Sequence, residues 1–529
     1  MEIGEEIAPF INELPTDYAD RLGISYANAA SSLHKKTKGQ FFTPTAIARL
    51  MASFSNNQES KIRILDPGCG TAILTCALIE TLVKNNPTLT TIDITAYETD
   101  IDLISFSEQS LSYLKSWTRE KGIEFNYVLY VDDFILDNSK YIQEHLYTQN
   151  INREFFDIII SNPPYFKLSK DDLRTKAAQI VISGQPNIYS IFMAIAAKLL
   201  SDNGELIFIT PRSFASGNYF KAFREFFFQA VEIENIHLFV SRKDTFDRDS
   251  VLQETVIMKG TKANQQNTAK KILVSSSHGI KDIESPSVKS YKPEDLIDFK
   301  TKEKMLHLPT NDAEEEVVNL FRSWSGSLNK YNIQISTGPV VSFRVRSFIY
   351  DVYENSTVFL CPLFWLHNVN KMSLDWPNIK PNKGQYIRIL DESRSILIPN
   401  KDYIFLRRFS TKDDKSRLIA APYFHNFTKS DFIGVENKVN YIYRPMGHLE
   451  KNEIIGLCAL LNSNLFDTYF RTFNGNVNVS ATELREMSLP PLETIKEIGD
   501  RIIISNNYTV DHINDIVKDF FVLNMNLIA

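Results

Sequence analysis

With 529 residues the chain is long for one core, so two domains are expected, possession of 43% hydrophobic residues placing it among globular proteins. A net charge of -6 excludes a protein that coats nucleic acid indiscriminately, while leaving room for a local basic groove on an acidic body. No apolar run reaches the roughly 18 to 20 residues of a membrane span, and the acidic opening lacks the basic flank of a signal peptide, so a cytoplasmic location without membrane contact is expected. Cys69, Cys76, Cys361 and Cys458 are scattered, which excludes a disulfide framework and a paired-cysteine metal site; no metal is expected.

Residues up to Lys38 mix acidic, small and apolar side chains and suggest one or two helices with no visible chemistry. In GQFFTPTAIARLMASF, Thr43 is placed to cap a helix with Pro44 at its first position, and Ile47, Leu50, Met51 and Phe54 share one face. The cap does not account for Phe41 and Phe42 ahead of it. KIRILDPGCGTAILTCALIETLVKN then has the pattern of strand, Gly-rich turn and helix, a turn that presents free backbone N–H groups to a ligand. Asp66 immediately before the turn, and Ile73 in place of the third glycine, argue against a pyrophosphate. An acid there suits a ligand with positive charge, and S-adenosylmethionine, with its ammonium and sulfonium, is one.

The next strand, TIDITAYETD, ends in Glu98, where a doubly wound sheet holds a ribose diol, although a solvated strand-end acid has the same look. NYVLYVDDF delivers Asp132, Asp133 and Phe134, a carboxylate and a ring suited to an adenine. FFDIIISNPPY is a strand buried on both faces and ended by two prolines. Asn162 is thereby held at a strand tip, and its side-chain carbonyl with the Pro163 backbone carbonyl makes two acceptors for the hydrogens of an exocyclic amine. Tyr165 adds an aromatic face. An Asx-type turn closing an ordinary strand has the same four residues. Four successive strands thus end in ligand-capable residues at one edge.

After the polar loop KLSKDDLRTKAAQ, strands and helices keep alternating, which predicts an α/β, doubly wound, mostly parallel sheet with its crevice at the strand carboxyl ends. The last two strands, IENIHLF and LQETVIMKG, are joined by the short VSRKDTFDRDSV and are expected as an antiparallel pair at one edge. Near Thr261 the composition turns polar, and a boundary is placed there. Beyond it, β-prone runs interleave basic and aromatic residues: Arg344 and Arg346, Arg407 and Arg408, and Arg444. A groove that tracks phosphates wants this mixture, and so does a solvated sheet. Asp431, Glu436 and Lys438 are too close in sequence for a strand-to-strand nuclease site, so cleavage is not expected.

In order, QFFTP, DPGCG, YETD, DDF, SNPPY and TFDRDSVLQETVI resemble the motifs of the TaqI-like, gamma-class N6-adenine DNA methyltransferases of bacterial restriction-modification systems. The resemblance runs motif by motif through the N-terminal half and loosens after it. It implies a seven-stranded Rossmann-like methyltransferase sheet over 39–260, a helical extension over 1–38, and a mixed α+β DNA target-recognition domain over 261–529 that ends in helices. It further implies S-adenosylmethionine as cofactor and double-stranded DNA as partner, and leaves open whether a separate cognate endonuclease accompanies the protein or it is an orphan modification enzyme. Phe42 and Thr43 resemble the segment that closes over the methionine part of the cofactor. Asp66, Gly68, Cys69 and Gly70 resemble the cofactor loop, Glu98 the ribose ligand, and Asp133 with Phe134 the adenine pocket. Asn162, Pro163, Pro164 and Tyr165 resemble the catalytic motif, Asn162 also bordering the cofactor. Phe246 resembles the ring that sandwiches a flipped base opposite Tyr165. Asp66 departs from the Glu of some members but keeps the charge. The alternatives are methylation of cytosine N4, ribosomal RNA or a protein glutamine, and a non-catalytic DNA specificity subunit.

Overall fold

The computed structural model describes residues 7–29, 42–143, 155–182, 184, 186–239, 254–263, 271–299, 301–351, 359–410, 414–475 and 477–521. The chain divides into two compact units, Met1–Leu306 and His307–Ala529.

The described part of the first unit is built on a nine-stranded sheet: β1 (Lys61–Asp66), β2 (Thr91–Tyr97), β3 (Glu124–Tyr130), β4 (Phe156–Ser161), β5 (Leu200–Pro211), β6 (Val231–Phe239), β7 (Thr255–Lys262), β8 (Ile272–Ser277) and β9 (Ser287–Tyr291), in the order β3-β2-β1-β4-β5-β7-β6-β8-β9. The strands β1 to β5 run parallel, Ile64 of β1 lying opposite Ile158 of β4. Ile158, Ile159 and Ile160 are fully buried, as a strand apolar on both faces requires. The helices introduced below are α1 (Pro15–Ala29), α2 (Thr45–Ser53), α3 (Ile73–Asn85), α4 (Ile101–Glu120), α5 (Phe134–Asn138), α6 (Leu173–Ala177) and α7 (Ile188–Leu199). On α3, Ile73, Leu74, Ala77, Leu78 and Leu82 are buried, the face that the sequence pattern marks.

Three expectations change. The sheet has nine strands and not seven, because β8 pairs parallel with β6 and β9 antiparallel with β8. The unit therefore ends at Leu306 and not near 261. β8 reads ILVSSS, and its serines, polar in sequence, turn inward: Ser275 and Ser277 hydrogen-bond the two ring nitrogens of the buried His237 at 2.8 and 3.0 Å. Burial holds that imidazole's pKa down to about 4, so it is neutral near pH 7. The antiparallel pair β6 and β7 forms, but it lies inside the sheet, with β7 between β5 and β6. The opening segment forms the helix α1, which packs on this unit. Tyr18, Leu22 and Tyr26 of α1 pack with Leu103 and Phe106 of α4 in one buried cluster, against which Phe42 also leans.

In the second unit a four-stranded sheet (Gln334–Thr337, Val439–Tyr443, Tyr403–Arg407, Ala420–Tyr423) and a five-stranded sheet accompany helices Lys451–Asn462, Asn464–Phe473, Leu492–Ser505 and Val510–Phe521. A Cβ on Gly456 would clash with the Ile495 carbonyl oxygen and one on Gly499 with that of Asn452, so the helices Lys451–Asn462 and Leu492–Ser505 pack this closely because both residues lack a side chain. Among the described residues no helix is long and apolar enough to cross a membrane.

Candidate active site

The carboxyl ends of β1 to β4 open onto one cavity of about 420 Å³. Its first wall is the turn from Pro67 to Ala72 between β1 and α3. Gly70 sits at φ +54°, in the left-handed region where glycine is at ease, and Ala72 at +60° where a side chain is not. The turn is tied down by Cys69 N–H donating to the Tyr97 carbonyl at 2.9 Å. α3 starts without a side-chain cap, and such a helix start suits a group that carries negative charge.

Glu98 follows β2 and stitches two turns together. Its Oε2 accepts from Gly70 N–H at 3.1 Å and its Oε1 from Asp100 N–H at 2.8 Å, and burial raises its pKa. Behind β3, Asp133 caps α5, with Oδ1 accepting from the Ile135 and Leu136 amides at 2.9 and 3.1 Å. Its Oδ2 lies 3.6 Å from Nη1 of Arg174, which is paired more closely with Asp172. Phe134 is buried between the rings of Tyr97 and Phe192, centroids 5.4 and 5.1 Å away.

At the tip of β4, Asn162 Nδ2 donates to Thr43 Oγ1 at 3.0 Å, and Tyr165 donates its hydroxyl to Asn162 Oδ1 at 2.5 Å. The Tyr165 hydroxyl also faces the Ile209 carbonyl at 3.0 Å. Its ring is buried, edge-on to Tyr189, and burial pushes its pKa well up.

Of the residues singled out in the sequence, the cavity is lined by Phe42, Thr43, Gly68, Cys69, Gly70, Glu98, Asp133, Phe134, Asn162 and Pro164. Asp66, Pro163 and Tyr165 do not line it. Asp66 is sealed beneath the turn, where its Oδ2 accepts from Thr75 Oγ1 at 2.8 Å and its Oδ1 has no hydrogen-bond partner. Phe246 lies outside the described residues. Sequence reasoning missed Phe166, Arg174, Phe192 and Thr99, all on the cavity wall. Arg174 belongs to the loop after the NPPY turn, where a lone Arg among Lys and Asp gives no signal, and Phe192 sits in a helix whose apolar residues all look like core.

In the second unit, three of the five arginines serve their own fold. Arg407 donates to the Val369 carbonyl at 2.6 Å and to Asn370 Oδ1 at 3.1 Å, Arg408 to the Asn437 carbonyl at 3.0 Å, and Arg444 pairs with Glu453 at 2.8 Å. Arg344 and Arg346 are exposed on single-turn helices, Ser342–Arg344 and Arg346–Phe348.

Residues 82–246 match the Eco57I restriction-modification methylase family. The type II methyltransferase M.BsuBI of Bacillus subtilis is 34% identical over 476 residues, 89% of this chain and 91% of that protein. The type II methyltransferase M.PstI of Providencia stuartii is 32% identical over 464 residues, 88% and 89% of the two chains. The chain belongs to the type II restriction-modification methyltransferases. Among solved structures, a DrdV–DNA complex aligns with 92% of this chain and 59% of that one at 12% identity, with a TM-score of 0.49.

As a restriction-modification DNA methyltransferase, the protein uses S-adenosylmethionine as methyl donor. The residues present fit it: an uncapped helix start for a carboxylate, Glu98 for a diol, and Phe134 with Phe192 for a base. Asp66 adds a testable linkage. Burial, reinforced by the Glu98 charge, lifts its carboxyl to about 7 from an ordinary 3.8. In the free methyltransferase the raised value contributes stability that is full below about pH 3.8 and is lost as pH rises to about 7. If Asp66 senses a cationic cofactor through the turn above it, binding is expected to favour the ionised form, to release a proton near neutrality and to tighten between about pH 6 and 8. Titration calorimetry across that window, in buffers of different ionisation enthalpy, reads both effects. Asp66→Asn flattens the profile; an unchanged profile in that variant removes Asp66 from the linkage.

Proposed function

We propose that this methyltransferase is of the TaqI-like, gamma arrangement and transfers a methyl group to N6 of an adenine turned out of duplex DNA. The observation that carries the reading is Asn162, a carboxamide at the tip of β4 that borders the cofactor cavity and is followed at once by the Pro163 carbonyl. A paired base cannot bring its amine to that cavity, so it has to be rotated out, which costs a few kcal/mol, roughly, offset by stacking on rings. The Asn162 Oδ1 and Pro163 carbonyl accept the two amine hydrogens. An exocyclic amine conjugated with its ring is a poor nucleophile, and two acceptors on a stiff turn favour the pyramidal form whose lone pair is free. The bound cofactor supplies an electrophilic methyl group on sulfur. For the base to stack on Tyr165, that side chain has to release Asn162 Oδ1 and leave its buried position, where Phe246 is the ring proposed to face it. Catalysis then rests on positioning and on fixed dipoles.

Support for the gamma class is the order of parts: cofactor turn, then catalytic turn, then the second unit, to which target recognition is assigned. A cognate endonuclease is proposed as a separate chain. Expression in an unmethylated host, followed by sequencing of its DNA for modified bases, tests the reading. N6-methyladenine at one recurring sequence is the expected result, and N4-methylcytosine or unmodified DNA overturns it. A further expectation concerns the two exposed arginines. Replacing Arg344 and Arg346 together by Ala weakens DNA binding at every sequence and lowers the slope of log affinity against log salt by about 2, at roughly 0.9 per lost phosphate contact. A binding isotherm series in increasing NaCl reads that slope, and an unaltered one takes both residues off the DNA.

A further inference from the structure

Thr43 does not cap the helix that follows it. α2 opens at Thr45 with Pro44 in the cap position and no side-chain cap, and the buried Thr43 Oγ1 instead accepts from Asn162 Nδ2 at 3.0 Å. The bond joins segments 119 residues apart. It bears on a difficulty that a catalytic asparagine has and a carboxylate does not. Turned by about 180° around its last torsion, which is broad and two-fold, a carboxamide fills the same space with oxygen and nitrogen exchanged. One orientation offers an acceptor to an amine; the other confronts it with N–H donors.

Two hydroxyls flank the Asn162 amide, and a hydroxyl either donates or accepts. Tyr165 has one proton for two carbonyl oxygens, Asn162 Oδ1 and Ile209 O, so it tolerates either orientation of the amide. Thr43 differs, because it also lines the cofactor cavity. Once an acceptor atom of the bound cofactor takes the Thr43 proton, only lone pairs are left for Asn162, and Nδ2 has to point at them. We infer that Thr43 is a positioning residue: with cofactor bound, its hydroxyl turns the Asn162 amide so that Oδ1 faces the target amine. Cofactor occupancy and the aim of the catalytic oxygen are thereby coupled through one side chain. The inference rests on Asn162 gripping the amine, as proposed above.

The test uses Thr43→Val, which keeps the shape and loses the hydroxyl, and Thr43→Ser, which keeps the hydroxyl; Thr43→Ala stands in if the valine disturbs folding. At saturating S-adenosylmethionine, kcat of Thr43→Val falls by about 10-fold or more and that of Thr43→Ser stays within about 3-fold of wild type. A readout independent of turnover is the affinity for cognate DNA with and without S-adenosylhomocysteine. Wild type and Thr43→Ser bind DNA at least about 5-fold more tightly with that ligand, and in Thr43→Val the difference shrinks toward none. A Thr43→Val variant whose whole loss lies in cofactor affinity, or whose DNA binding still responds to the ligand, overturns the inference. Asn162→Ala in parallel separates the two claims: if it retains activity, the amine grip itself fails; if it is dead while Thr43→Val is unimpaired, only the coupling fails.

Discussion

Asn162→Ala is expected to lower the rate of methyl transfer by about 100- to 1,000-fold while cofactor affinity stays within about 3-fold, since removing one preorganised hydrogen-bonding group from a catalytic centre costs roughly that much. The asymmetry follows from where the side chain sits. Asn162 forms one border of a cavity whose other walls, the Pro67 to Ala72 turn, Glu98 and the Phe134 ring, are positioned by β1, β2 and β3 and do not depend on it. Its loss leaves Tyr165 with the Ile209 carbonyl, so the ring keeps a hydrogen-bond partner. Single-turnover transfer of a labelled methyl group, with calorimetric titration of S-adenosylhomocysteine, separates the two quantities. Transfer within about 10-fold of wild type would sink the role of Asn162.

Glu98→Ala is expected to do the reverse, weakening cofactor binding by about 100-fold. A hydrogen bond to a charged group is worth about 1.5 to 3 kcal/mol, and Glu98 makes two to backbone amides even before a ligand contributes. Because one oxygen holds Gly70 and the other Asp100, its removal loosens the cofactor turn and the start of α4 at the same time. The same geometry predicts that Glu98→Gln is nearly as damaging. A carboxamide has one acceptor where two N–H groups need one each, so its NH2 would face a donor. Calorimetry on both variants decides the matter: a glutamine variant with wild-type affinity would mean that the charge and the double acceptance are both dispensable.

What was legible in the sequence was set by strand ends. A strand buried on both faces, cut off by Pro163 and Pro164, has only one way to present Asn162, and Gly-rich and acidic tips on β1 to β3 follow the same logic. Most of the legible residues therefore meet in one cavity, while Asp66, Pro163 and Tyr165 stand off its wall. Asp66 was legible as important but not as hidden: its place before the turn is plain, while its burial under Thr75 depends on how α3 folds back. Thr43 followed the pattern of a helix cap, yet local pattern says nothing about a partner 119 residues away. β8 escaped because its run of serines looks solvated until a buried histidine is found to need two of them, Ser275 and Ser277. Phe192 escaped because an aromatic in an apolar helix has no mark to distinguish cavity wall from core.

The packing of α1 against Phe42 also bears on how the protein can be taken apart. Tyr26 meets the Phe42 ring edge-on at 5.6 Å and donates its hydroxyl to Asp100 at 2.8 Å, the residue whose amide Glu98 holds. Composition invites a cut at residue 38, and a fragment made that way would lack the buttress behind both Phe42 and Asp100. The shortest piece that keeps the cofactor chamber whole begins at or before Pro15, so the opening helix is a part of the catalytic machine that merely happens to be written first.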